Sequence, residues 1–91
     1  MTEMRLTHHH GLDRRTALER AHALADELAT RLEASYRWHD NTLHFERAGA
    51  DGTVRVGPGQ IDVEVRLSWL LGAFRGSIEE EIRRLLARHF D

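Results

Sequence analysis

The run YRWHDNTLHF, residues 36–45, decides the fold. Asp40 and Asn41 both tolerate positive φ, so a two-residue hairpin turn at these positions pairs His39 with Thr42, Trp38 with Leu43, Arg37 with His44 and Tyr36 with Phe45. All four large apolar residues then fall on one face of the ribbon, and arginine, histidine and threonine fall on the other. A slip of one residue would destroy that separation.

Working outward, residues 48–52 read as a loop that reverses the chain into a strand at 53–56. Pro58 and Gly59 suit the centre of a type II turn, which pairs Val56 with Ile61, Arg55 with Asp62 and Val54 with Val63. Ile61, Val63, Val65 and Leu67 share the apolar side, while Asp62, Glu64 and Arg66 point away. The result is an antiparallel meander with one apolar and one charged face. Before it, Met4, Leu6 and His8 alternate with Glu3, Arg5 and Thr7, the pattern of a first, edge strand.

The apolar face needs cover, and two helical segments flank the meander. From 13 to about 35, Leu18, Ala21, Leu24, Ala25, Leu28 and Leu32 form one stripe, with Asp13 as N-cap or a capping box from Thr16 to Glu19 one turn later. Alanines 17, 21, 25 and 29 make a shallow ridge suited to close packing on the domain's own sheet or, alternatively, on a partner helix. From 77 to about 90, Ser77 and Glu80 read as a capping box, and Ile78, Ile82, Leu85 and Leu86 as the buried stripe, extended by Phe90 with His89 at its edge. The expected fold is a single α+β domain over 1–91. It has a four- or five-stranded antiparallel meander with two amphipathic helices packed on one face, in the order β-α-β-β-β-β-α. The segment before His9 decides between four strands and five.

With 91 residues, 41% of them hydrophobic and 31% charged, the chain falls in the range of one ordinary globular domain. A domain this small buries only about 60–65% of its unfolded surface, which leaves little room for a deep enclosed active site. The absence of cysteine excludes disulfides, thiolate zinc sites and a cysteine nucleophile, and makes a reducing cytoplasm the simplest compartment. The first residues lack the apolar core of a signal peptide, and no apolar run reaches the roughly 20 residues that span a bilayer. All 13 basic residues are arginine, but 15 acids are interleaved with them, so no cationic stripe for nucleic acid forms.

No catalytic constellation appears. Ser35, Ser68 and Ser77 lack the context of an activated nucleophile, and Asp62, Glu64 and Glu79 to Glu81 sit on solvated faces. The turn at Gly57, Pro58 and Gly59 precedes no helix that could hold a phosphate. His8, His9 and His10 cannot all reach one metal from an extended segment, and His22, His39, His44 and His89 lack ligand spacing. Neither an enzyme nor a cofactor or metal site is expected.

One apolar feature is left over: LSWLLGAFRG, residues 67–76, which has neither strand nor helix period. Gly72 and Gly76 suggest a bent loop. Trp69, Leu70, Leu71 and Phe74 cannot all fit beneath a sheet already covered by two helices, so some should be exposed and form an apolar interaction surface. The competing expectation is that all four close the open end of the core.

The order of these motifs resembles the polyhydroxyalkanoic acid system proteins, small bacterial proteins associated with polyester storage. The similarity runs over nearly the whole chain. It is carried by a histidine before Gly11 and Leu12, the alanine-rich helix, Tyr36-Arg37-Trp38 through Leu43-His44-Phe45-Glu46-Arg47, Gly52, the VEVRL of 63–67, the two leucines and Phe74 of the leftover stretch, and Ile78, Glu79, Ile82 and Leu85. Asp40 and Ser68 stand where the family pattern has glycine, and Ser68 puts the bend after Leu67 in question. The resemblance implies a non-enzymatic accessory protein of polyhydroxyalkanoate metabolism, cytoplasmic, acting at the granule surface or on granule proteins, and it carries over no catalytic residue. Two alternatives use other features. One is a homo- or hetero-oligomeric interaction module working through the sheet edge or the alanine ridge; the other is a small apolar-ligand carrier with a cavity between sheet and helices.

Overall fold

The two turns set the register of the whole sheet. In the computed structural model, which describes residues 2–90, β2 (Ser35–His39) and β3 (Thr42–Arg47) pair through the four partnerships expected from Asp40 and Asn41, and Asp40 takes the positive φ of 55° that the turn requires. Gly59 adopts φ 78°, as the second central residue of a type II turn must, and aligns β4 (Ala50–Gly57) with β5 (Gln60–Leu67) in the expected register. The N-terminal segment forms β1 (Thr2–His9), which pairs antiparallel with β5 and makes the strand count five. The order across the sheet is β1-β5-β4-β3-β2, so β1 and β2 are the edges.

Two boundaries differ from the sequence reading. The reversal after β3 is not a loop over 48–52 but a tight turn at Ala48 and Gly49, where Gly49 supplies φ 87°. Strand β4 therefore starts at Ala50, and Asp51 faces Arg66, joined to it by an ion pair of 2.8 Å. The last helix, α3, runs Arg75–Phe90, so Ser77 lies inside its first turns and is not its cap. The Phe74 carbonyl already accepts from the Ile78 N–H at 2.9 Å, which closes the helix before Ser77.

Helix α1 (Arg14–Leu32) begins on Asp13, whose carboxylate accepts from the Thr16 N–H at 2.8 Å, and ends on Glu33 in the left-handed conformation. Its Ala17, Ala21, Leu24, Ala25 and Leu28 are buried together with Ile82, Leu85, Leu86 and Phe90 of α3. Met4, Leu6, Leu43, Phe45, Val54, Val56, Ile61, Val63, Val65 and Leu67 complete one core between sheet and helices. The alanine ridge is thus consumed inside the chain. Helices α1 and α3 are also tied at the surface by Glu27, which accepts from Arg31, Arg88 and His89.

The other sheet face is charged, with Arg5 beside Glu64 at 3.3 Å and Thr7 donating to Asp62 at 2.8 Å. A hollow of about 480 Å³ opens on this face between Arg5, Arg37, His44 and Thr53, away from the helices.

Candidate functional site

The leftover stretch is helical where the sequence suggested a bent loop. After β5, Ser68 adopts an extended backbone (φ −69°, ψ 169°) and donates its N–H to the Gly49 carbonyl at 2.9 Å. Any residue can take that conformation, so the bend after Leu67 needs no glycine. Trp69–Gly72 then forms one helical turn, α2, in which the Ser68 carbonyl accepts from the N–H groups of Leu71 and Gly72 at 3.1 and 2.9 Å. The Leu71 carbonyl accepts in turn from the Phe74 N–H, and α3 follows directly. Gly72 and Gly76 have no positive φ and are used as helical residues.

This turn divides the four apolar residues. Leu71 is half-buried against the core, and a Cβ on Gly49 would come within 3.0 Å of its side chain, so the leucine is seated on the β3–β4 turn. Trp69, Leu70 and Phe74 point outward, with 85%, 59% and 57% of their surface exposed. Only one of the four therefore helps close the core. The cause is geometric: a single helical turn cannot aim Trp69, Leu70 and Leu71 the same way, since successive residues are rotated by about 100°.

The flanking charges are already paired. Arg66 holds Asp51, and Arg75 approaches Glu79 at 3.5 Å. The Ser68 hydroxyl is buried without a protein partner, between Gly49 and the base of α2. Residues 49 and 68, which form the seat for Leu71, carried no signal as a pair, because they are far apart in sequence and meet only through the β4–β5 register, which sets Ala50 opposite Leu67.

No group of three or more histidine, cysteine, aspartate or glutamate side chains among the described residues is arranged to hold a metal. The histidines disperse: His10 accepts from the Leu12 N–H at 3.2 Å and lies 5.6 Å from the Phe90 ring, His22 stacks on Trp38, and His89 meets Glu27 at 2.8 Å. No described helix is long and apolar enough to cross a membrane.

What remains distinctive is an exposed apolar turn after β5, held against the β3–β4 turn through Ser68 and Leu71. The family model described as "Putative polyhydroxyalkanoic acid system protein" matches residues 4–90. The chain belongs to this family. The match runs from within β1 to the end of α3, with the 67–76 stretch included, and agrees with the resemblance read from the motifs. No curated protein and no solved structure matches the chain.

Proposed function

We propose that this family member is a non-enzymatic accessory protein of the polyhydroxyalkanoate system that seats on the apolar surface of polyester granules through Trp69, Leu70 and Phe74. The observation that carries the reading is the exposure of three large apolar side chains within residues 69–74 of a chain that buries its other large aliphatic side chains well. Scattered surface apolar residues are ordinary, but three large ones exposed this close together in the chain are a concentration. Leu71, wedged on Gly49, serves as the anchor that keeps the turn presented.

A polyester surface is apolar and uncharged, with ester carbonyls as hydrogen-bond acceptors. Trp69 suits it twice, through the area of its ring and through the indole N–H. An anionic lipid surface would call for unpaired cations around the patch. Arg66 is instead paired with Asp51, and Arg75 shares Glu79 with Arg83, which favours the polymer. Burying a large apolar ring is worth about 2 kcal/mol, so two rings and a leucine suffice for reversible attachment. The test is co-sedimentation of the purified chain with polyhydroxyalkanoate particles, alongside vesicles of anionic phospholipid. Trp69→Ala with Phe74→Ala should release it from polymer; retention of the double variant, or attachment to vesicles alone, overturns the proposal.

A further inference from the structure

A second surface is marked by backbone geometry. The His10 N–H donates to the Gly59 carbonyl at 3.0 Å, and this pair continues the register of β1 on β5. Antiparallel ladders alternate bonded and non-bonded pairs. Thr2, Met4, Leu6 and His8 therefore direct their backbone groups to β5, while those of Glu3, Arg5, Thr7 and His9 point to the open edge. The hairpin closing at Gly57 and Gln60 leads to the same assignment, since it commits the even residues of β5 to β4 and leaves the odd ones for β1. Among the described residues no other backbone hydrogen-bonds to this edge. Strand β1 is eight residues long and contains no proline or lysine, and its two charged residues, Glu3 and Arg5, are of opposite sign.

We propose that β1 is a pairing edge, and that a second copy of the chain joins it antiparallel to make one continuous sheet across both subunits. Charge selects the register. A two-fold axis at Leu6 sets Arg5 opposite Thr7 of the partner subunit, Glu3 opposite His9 of the partner subunit, and the two Leu6 side chains together on the helix side. The outer face then reads Glu64, Arg5, Thr7 of the partner subunit and Asp62 of the partner subunit, which continues the ion-pair row already present in each chain. An axis at Arg5 would oppose two arginines, one at Thr7 would set Arg5 against His9, and one at Met4 would pair only residues 2–6. The other edge fits less well. Strand β2 has five residues, its open groups come from Tyr36 and Trp38, and a two-fold axis there opposes Arg37 to Arg37.

The test uses the full chain and does not depend on polymer binding. Sedimentation at millimolar chain concentration should give twice the chain mass. Thr7→Pro deletes an N–H that faces the edge and spares the β5 ladder, so the variant should remain folded by circular dichroism and sediment as a monomer. Thr7→Arg, which places like charges opposite each other at two symmetric points, should weaken association about tenfold or more even if the proline variant does not fold. Because the chain has no cysteine, mixing Arg5→Cys with Thr7→Cys under oxidation should cross-link far more than either variant alone. A wild-type chain that stays monomeric, a dimer indifferent to Thr7→Arg, or cross-linking no better in the mixture overturns the proposal.

Discussion

Trp69 and Leu71 are two residues apart and have opposite tasks, one exposed to solvent and the other seated on Gly49. Leu71→Ala should lower unfolding stability by about 1–2 kcal/mol, as expected for truncating a half-buried leucine, whereas Trp69→Ala should change it by no more than about 0.5 kcal/mol; chemical denaturation of both variants checks the contrast. Gly52 offers a second test. A Cβ there would collide with the Glu64 carbonyl and come within 2.7 Å of the Phe45 ring, which lies over the glycine. Gly52→Ala should therefore cost about 1–3 kcal/mol or more by the same measurement. The sequence marks Gly52 and the four apolar residues of the turn as notable, but not which of the four turns inward, because that depends on a contact with a distant hairpin.

At the scale of elements, the sheet was legible wherever a turn residue pinned the register. Asp40 with Asn41 and Pro58 with Gly59 each admit one pairing that separates the faces, and both pairings are present. The reversal at Gly49 was less legible, since Asp51 and Gly52 are turn-forming types too, and only the pairing of Asp51 with Arg66 reveals them as strand. The start of α3 escaped for a similar reason. A Ser-x-x-Glu pattern is compatible with a helix interior, and the turn of α2 feeds the helix from upstream. The joint between α1 and α3 carries its own pH signature. The hydrogen bond with His89 is the main influence holding the Glu27 carboxyl below its ordinary value of 4.5, aided by Arg88 and Arg31 and opposed by desolvation. A folded-state value depressed in this way stabilises above the ordinary carboxylate range, and that stabilisation is lost as pH falls through the lowered value. Denaturant midpoints should thus fall on acidification below about pH 4.5, and Glu27→Gln should flatten that dependence; an unchanged slope would remove Glu27 from the account.

For the whole molecule, the two proposed surfaces divide the work. The helices and the inner sheet face are spent on the core, the outer face carries the ion pairs of Arg5 with Glu64 and Arg66 with Asp51, and the apolar turn at one end and the β1 edge along one side stay open among the described residues. The arrangement was legible from patterning, because binary alternation and turn chemistry act locally, and the family from the resemblance of its motifs. The partner was not, because an exposed apolar patch specifies a class of surface and not a molecule. The most direct measurement of the central claim is the partition of wild-type chain and of the Trp69→Ala, Phe74→Ala double variant onto purified polyhydroxyalkanoate granules, with circular dichroism confirming that both are folded. The double variant should keep its fold while its bound-to-free ratio drops about tenfold or more; equal partition of the two folded proteins would contradict attachment through Trp69 and Phe74.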